Sequence, residues 1–488
     1  MNEALKSLEP AGIWHYFREI LSIPRPSKKE EKIAAYLISF AEKNQLVCKK
    51  DETGNILICK PATKGYENRK TVVLQSHIDM VCEKNSDKVH DFEKDPIEVS
   101  VTAEGWVKAN GTTLGADDGI GIAAQLAILS DENIEHGPIE CLFTIDEETG
   151  LTGAFGLRDD FLKAEILLNL DSEDEGELFI GCAGGKDTVI SLPYTTEAAP
   201  KDHKIFSLTV SGLRGGHSGD DIHKGYGNAN KLLNRILWES GKLFGVRLND
   251  IEGGNLRNAI AREAKCTVLV PDNQLNGFEN FVTKSAASIC KEFSITEPNL
   301  KISCTAVAKK IEEVVALADQ QKLFNSLYAC PHGVIAMSQS IANFVETSTN
   351  LASIRMKDGI WTITTSQRSS IESAKDDVAN MVAACFELAG ASSEHTDGYP
   401  GWTPNPKSEI REITETAYFN LFLSKPQVKA IHAGLECGLI GDAYPKMDMI
   451  SFGPTIKGAH SPDERLEIAS VVKFWKLTLD VLKKIPVK

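Results

Sequence analysis

The sequence predicts an α/β protein: a mixed sheet with helices on both faces, interrupted by an inserted α+β segment. Three observations carry this prediction. The apolar runs VVL at 72–74, IECLFTI at 139–145 and EILLNL at 165–170 are continuous rather than alternating, as in strands covered on both faces. Amphipathic helix-period stretches separate them, and the same alternation returns after GYPGWTPNP at 398–406. Between lies a long section of different texture, entered around CAGGKD at 182–187. One domain built from both chain ends, residues 1–186 and 398–488, with a second domain of residues 187–397 inserted, accounts for all three.

Taken in order, Ser27 and Glu30 form a predicted capping box ahead of the amphipathic run KIAAYLISFAEKN. The glycines of TLGADDGIG allow a tight turn into a helix over IGIAAQLAIL, with Asp118 as its N-cap. The inserted section reads as strand, helix, strands, helix, strand, followed by a similar series. Within it Lys357, Asp358 and Gly359 mark a hairpin turn between SIRM and IWTITTS. Near the C-terminus, Ser461, Pro462 and Glu464 are placed as N-cap, first helical residue and capping-box partner of the helix DERLEIASVVKFWKLTLDVL.

Bulk properties narrow the function. A chain of 488 residues, 42% hydrophobic, has material for two domains. A net charge of -15 and the lack of a basic run exclude a nucleic-acid partner and favour small-molecule ligands. The 11 cysteines are scattered without a CxxC pair, and MNEALKSLEP lacks the apolar core of a signal peptide, which suits a reduced cytoplasm. No stretch of about 18 uncharged apolar residues suggests a membrane span.

The apolar runs share an ending. VVLQS leads into His77, IECLFTI into Asp146, Glu147 and Glu148, EILLNL into Asp171, and MISFGPTIKGA into His460. In open α/β sheets sites form beyond the carboxyl ends of strands, so these residues, joined by Asp117 of the GADDG turn, are candidates for one site. A lone histidine after a strand is ordinarily structural; two histidines with several matching acidic motifs are not. Two imidazoles and three carboxylates suit zinc, with cobalt or manganese as alternatives, and one carboxylate would have to bridge a pair of ions. Adjacent Glu147 and Glu148 leave a strand end in different directions, so that one can bind metal while the other stays free as a base. Residues i and i+2 share a strand face, which lets Asp79 orient His77.

These motifs resemble the co-catalytic zinc exopeptidases that include aminoacylases, glutamate carboxypeptidases and carnosinases, and within them the bacterial aminoacyl-histidine dipeptidases. The similarity spans nearly the whole chain: SIPRPS, QSHIDMV, GTTLGADDGIG, DEETGLTGA, NLDSEDEGEL, SGLRGGHSGDDI, GNLRNAIAR, HAGLECG and GPTIKGAHSPDE. The resemblance implies a phosphorylase/hydrolase-like fold with an α+β lid domain covering the metal site. It implies His77, Asp117, Glu148, Asp171 and His460 as ligands of two Zn²⁺, with Asp117 bridging, Glu147 as general base and Asp79 orienting His77. It gives His217 of GGHSG a place at the substrate carbonyl oxygen, and Asn258 and Arg368 places at the rest of the substrate, with Arg368 suited to a terminal carboxylate. A cis peptide between Asp117 and Asp118 is also implied. The activity implied is hydrolysis of Xaa-His and related dipeptides; the alternatives are an N-acyl amino acid deacylase or carboxypeptidase of the same superfamily, and a non-catalytic metal-binding scaffold. The family suggests a homodimer, although a lid of this length could hold both halves of such a dimer in one chain.

Other polar residues are expected to be structural. Glu173, Asp174, Glu175 and Glu177 read as a solvated face. His432 and Glu436 read as one helix face or a strand-to-helix joint, behind the ligands at most. His223 and His332 lack a convincing partner, and the cysteines read as small buried hydrophobes.

Overall fold

The computed structural model describes residues 2–396 and 398–488. The chain forms two compact units. The first comprises Met1–Gly181, Pro404–Ala430 and Leu435–Lys488; the second comprises Cys182–Thr403 and Ile431–Gly434. Asp397, where the expected inserted segment ends, lies outside the described residues. The short segment 431–434 belongs with the second unit because Ala183 N donates to the carbonyls of Ile431 and Ala433, at 3.0 and 3.1 Å.

The first unit carries an 8-stranded sheet in the order Val47–Lys50, Ile56–Lys60, Ile139–Thr144, Val72–His77, Ile166–Asn169, Asp448–Ser451, Glu177–Cys182, Gln427–Ile431. Its central strands pair in parallel and the flanking ones antiparallel, so the sheet is mixed. Every residue of Val72–His77, Ile139–Thr144 and Ile166–Asn169 is buried, which is why these runs do not alternate. The Ala116–Ser130 helix packs along the Val72–His77 strand with Ala11–Ile20 against it, and the Glu409–Phe422 and Ile468–Lys484 helices pack together. Almost every side chain of Ala116–Ser130 is buried, as an apolar helix between other elements requires. Among the described residues no helix is long and apolar enough to cross a membrane.

Both expected capping boxes are corrected. The first helix after Ser27 runs Glu31–Lys43 without a side-chain cap. Ser27 Oγ instead donates to Asp79 Oδ2 at 2.7 Å, and Glu30 Oε1 accepts from Lys28 N and Asp146 N at 2.8 and 3.1 Å. The last helix begins at Ile468, because Arg465–Glu467 is a strand paired with Trp106–Ala109. Glu464 is thereby released for a tertiary role described below. The Asp358–Gly359 hairpin is as expected: Lys357 faces Ile360, and φ is 50° and 78° at the two turn residues.

The second unit carries a 9-stranded antiparallel sheet with an internal repeat. Strand His203–Ser211, helix Ala229–Phe244, strands Arg247–Gly253 and Ala264–Pro271, helix Leu275–Glu292 and strand Lys301–Ala306 form one βαββαβ series. Its strands lie in the spatial order fourth, first, third, second. Strand Gly184–Pro193, helix Leu317–Ala329, strands Val345–Lys357 and Ile360–Ser369, helix Glu372–Glu387 and strand Ser392–His395 repeat that series with the same order, and the ninth strand, Gly333–Met337, is an addition paired to Val345–Lys357. The first series is inserted after the opening strand of the second. The two second strands meet antiparallel, at Gly253 and Ile354.

Candidate metal centre

The centre is built where the parallel strands of the first unit end. His77 closes its strand with 1% exposure. Its Nδ1 lies 3.2 Å from Asp79 Oδ1, and its Nε2 lies 3.0 Å from Asp117 Oδ1 and 3.4 Å from Asp171 Oδ1. His460, at the positive φ of 61°, brings its Nε2 to 3.0 Å from Asp117 Oδ2 and 3.1 Å from Glu148 Oε2. Each oxygen of Asp117 thus faces a different histidine. Ligand atoms of His77, Asp117 and Asp171 lie within 4.8 Å of one another, as do those of Asp117, Glu148 and His460, and those of His77, Glu147 and Glu148.

The donors fit a pair of ions. Two ligand atoms on one tetrahedral zinc stand about 3.3 Å apart, and the histidine–carboxylate separations cluster around that value. Glu148 Oε1 is buried without a hydrogen-bond partner, a costly state for a carboxylate that a cation would relieve. Nitrogen and oxygen donors without cysteine match the chemistry of zinc, cobalt or manganese.

Several buried groups hold these side chains. Asp79 accepts from Glu147 N at 3.0 Å and from Glu148 N at 3.2 Å. Burial alone would favour a neutral Asp79, yet the bonds from His77, Ser27 and Glu147 hold its carboxyl at about 2, so it remains an anion that keeps His77 Nδ1 as a donor. The Asp117–Asp118 peptide is cis. Asp118 Oδ1 accepts from Gly121 N at 3.0 Å, so Asp118 caps the helix while Asp117 turns to the histidines. Glu464 receives the backbone N–H groups of Leu114 and Gly115 on one oxygen, at 2.7 and 2.9 Å, and those of Ala116 and Asp117 on the other, at 2.8 and 3.3 Å. From the other side the buried guanidinium of Arg25 donates to the carbonyls of Ile78, Asp79 and Gly115. Sequence patterns offered no signal for Arg25 or Glu464 in these roles, because both act on backbone far along the chain.

Glu147 stands beside the histidine–carboxylate sets. Burial raises its carboxyl well above the ordinary range, opposed by His77 and reinforced by Asp171, Glu436 and Glu148. One expected solvated acid is corrected. Glu173 is partly buried, and burial, then the charges of Asp117 and Asp171, raise its carboxyl to about 8. Asp174, Glu175 and Glu177 instead pair with Lys457, Lys473 and Lys429.

A second polar cluster lies within the second unit. Gly215 and Gly216, at φ of 73° and 128°, turn the chain into His217, which bridges to Ala259 beside Asn258. Ser218 N donates to the Asn258 carbonyl at 2.8 Å. His217 Nε2 lies 3.5 Å from Arg368 Nη2, so His217, Asn258 and Arg368 are brought together. Arg368 is only 7% exposed, its Nη1 donates to Tyr399 Oη at 2.9 Å, and its Nε is buried without a partner. The Tyr399 ring fits between Gly185 and Gly434, where an added Cβ would meet it at 2.7 and 2.9 Å. His432 and Glu436 form a strand-to-helix joint and part company. His432 Nε2 pairs with Ser348 Oγ at 2.7 Å in the second unit, while Glu436 opens the Glu436–Ala443 helix in the first. His332, expected to lack a partner, accepts from Leu351 N at 3.3 Å.

Comparison with known proteins extends this description. A family model for peptidase family M20/M25/M40 matches residues 73–484. The cytosol non-specific dipeptidase of Escherichia coli is 46% identical over 484 residues, 99% of both chains. The crystal structure of aminoacylhistidine dipeptidase from Vibrio alginolyticus is 46% identical with a TM-score of 0.93, covering 100% of this chain and 99% of that one. Aminopeptidase PepT from Bacillus cereus shares the fold at 15% identity and a TM-score of 0.58, over 98% of this chain and 99% of its own. With the family match running through nearly all the residues that form the centre, the chain belongs to peptidase family M20/M25/M40.

Proposed function

We propose that the protein is a cytoplasmic metal-dependent dipeptidase acting on Xaa-His and related dipeptides. The observation that carries this is Asp117 standing between His77 and His460, one oxygen to each, with Glu147 alongside. His77, Asp117 and Asp171 would hold one Zn²⁺ and Asp117, Glu148 and His460 the other, with Co²⁺ or Mn²⁺ as substitutes. When bound, the ions supply Lewis-acid polarisation of the scissile carbonyl and acidify a water.

The chain's own residues do the rest. Asp79 keeps His77 in one tautomer by accepting from Nδ1. Glu147 takes the proton from the attacking water on its carboxylate and returns it to the leaving amine nitrogen, so no covalent enzyme intermediate is required. Arg368 grips the substrate's terminal carboxylate, His217 donates to the carbonyl oxygen as charge develops there, and Asn258 assists in holding the peptide. The repeated βαββαβ series supports the reading in which both halves of a family dimer's lid occur in one chain. A scaffold that only stored metal would have no physical use for Glu147.

The test is a substrate panel on protein of measured metal content: Xaa-His dipeptides, other dipeptides, tripeptides and N-acetyl amino acids. Cleavage concentrated on dipeptides with two metal ions per chain is the expected result. Deacylation alone, or no hydrolysis at full metal content, overturns the proposal.

A further inference from the structure

Beneath the strand ends that carry His77 and Glu147 lies a buried polar chain with no place in the reaction above. Glu436 is 0% exposed. Its Oε2 faces Gln75 Nε2 at 2.6 Å and Thr144 Oγ1 at 2.6 Å, while its Oε1 is buried without a partner. From Gln75 the chain continues sideways: Asn169 Nδ2 donates to Gln75 Oε1 at 2.6 Å, Ser451 Oγ donates to Asn169 Oδ1, and Ser172 and Ser451 hydroxyls meet at 2.6 Å. It runs across the parallel strands in their spatial order, one step below the residues that leave the sheet.

The bonds of this chain bear on the state of Glu436, because both donors to it are neutral. An ionised carboxylate would accept twice on Oε2 and leave Oε1 bare in the protein interior, next to further acids. A proton on Oε2 changes the balance. Oε2–H donates to Thr144 Oγ1, whose own hydrogen reaches the Ser76 carbonyl at 3.3 Å. Gln75 Nε2 then divides its hydrogens between Glu436 Oε2 and Thr144 Oγ1, the latter at 3.2 Å. Asn169 and the two serines need no rearrangement. Every polar hydrogen named has an acceptor in either form, but only the neutral form leaves no charge on the unpartnered Oε1.

We propose that Glu436 is a neutral carboxylic acid that acts as a positioning residue: through Gln75 and Thr144 it fixes the ends of the two strands from which His77 and Glu147 emerge. Its functional half rests on the peptidase reading above; its protonation does not. Burial drives the Glu436 carboxyl up to about 8, the Thr144 bond and His77 oppose this, and Asp171 and Asp79 add to it. Keeping Glu436 neutral spares Glu147 another negative neighbour.

A glutamine can replace the acid without adding charge: its carbonyl oxygen accepts from Gln75 Nε2 and from Thr144 Oγ1, which turns its hydrogen away from the Ser76 carbonyl, and its amide occupies the space of Oε1. The first readout is infrared difference spectroscopy at neutral pH of the metal-loaded wild type against E436Q. A carboxylic-acid C=O band, shifted in D2O and absent from E436Q, is expected; its absence from the wild type overturns the proposal whatever the enzyme hydrolyses. The second is kinetic. Glu436→Ala should lower kcat about tenfold or more with KM within about threefold, and E436Q should restore it. Equal loss in both variants means the charge is required, and no loss in Glu436→Ala means nothing is positioned; either result overturns the assignment. Should Glu436→Ala not fold, the band and the activity of E436Q still decide.

Discussion

Glu147 and Glu148 are neighbours in one short helix, Glu147–Gly150, and their proposed roles differ. Glu148 faces His460 at 3.1 Å, and Glu147 beside it is the proposed base. Replacing Glu147 by alanine removes a base and none of the proposed ligands. The expected outcome is metal content equal to wild type with kcat lowered by about 10²-fold or more; normal turnover would refute the role. Tyr399 provides a second residue-scale prediction. Its hydroxyl accepts from Arg368 Nη1 at 2.9 Å, and its ring occupies space that only glycine leaves at 185 and 434. Tyr399→Phe keeps the ring and deletes one bond to a buried cation, a loss of about 1.5–3 kcal/mol. KM for dipeptides should rise about tenfold or more with kcat nearly unchanged. Dipeptide amides, which offer no carboxylate to Arg368, should show no such rise, and an equal rise for both would remove Tyr399 from carboxylate recognition.

At the scale of elements, the loop over residues 114–117 is the part of the centre least able to hold itself. It has a left-handed Gly115 at φ 68° and a run of backbone N–H groups pointing the same way. Glu464 collects four of those groups and Arg25 takes carbonyls on the other side. Glu464→Gln sets an amide N–H₂ against one pair of donors, which should cost about 3 kcal/mol in a site only 2% exposed. A lower thermal midpoint and weaker metal retention against a competing chelator are expected; a variant that matches wild type in both would show that the loop does not depend on this carboxylate. The same residue marks what the sequence could disclose. The apolar runs ending at His77, Glu147 and Asp171 were legible, since a continuous buried strand announces its own end. Ser27, Glu30 and Glu464 were misread as helix caps because capping rules weigh neighbours in sequence, whereas Glu464 binds backbone 347 to 350 positions away. Arg25 lay beyond any local pattern for the same reason, and Glu436 was placed no more closely than behind the ligands at most.

The whole molecule is a chain inserted into itself twice: the second unit interrupts the first, and within it one βαββαβ series interrupts another. The first series alone would leave its second strand unpaired, an edge open to association with other chains, and the second series would leave the Ile354 end of its own second strand so, because Gly333–Met337 covers only the 345–349 end. Pairing those two edges closes both and makes one sheet. The repeated element order was visible in the sequence, but the seam was not, because which edges meet depends on packing across the insertion. The seam is narrow, with Gly253 opposite Ile354, and Gly254 follows at φ 66°. A Cβ at Gly254 would stand 1.8 Å from the Ala352 carbonyl oxygen, closer than any real contact, and that oxygen is backbone that cannot swing aside. Gly254→Ala should therefore cost about 3 kcal/mol or more, combining the left-handed backbone with the steric conflict. Thermal unfolding should show a lower midpoint and limited proteolysis should begin within the second unit. Metal content should stay at the wild-type value, because the proposed ligands all belong to the first unit. A midpoint unchanged from wild type would mean that the two series do not depend on this junction, and the closed edge would have to be explained by the helices alone.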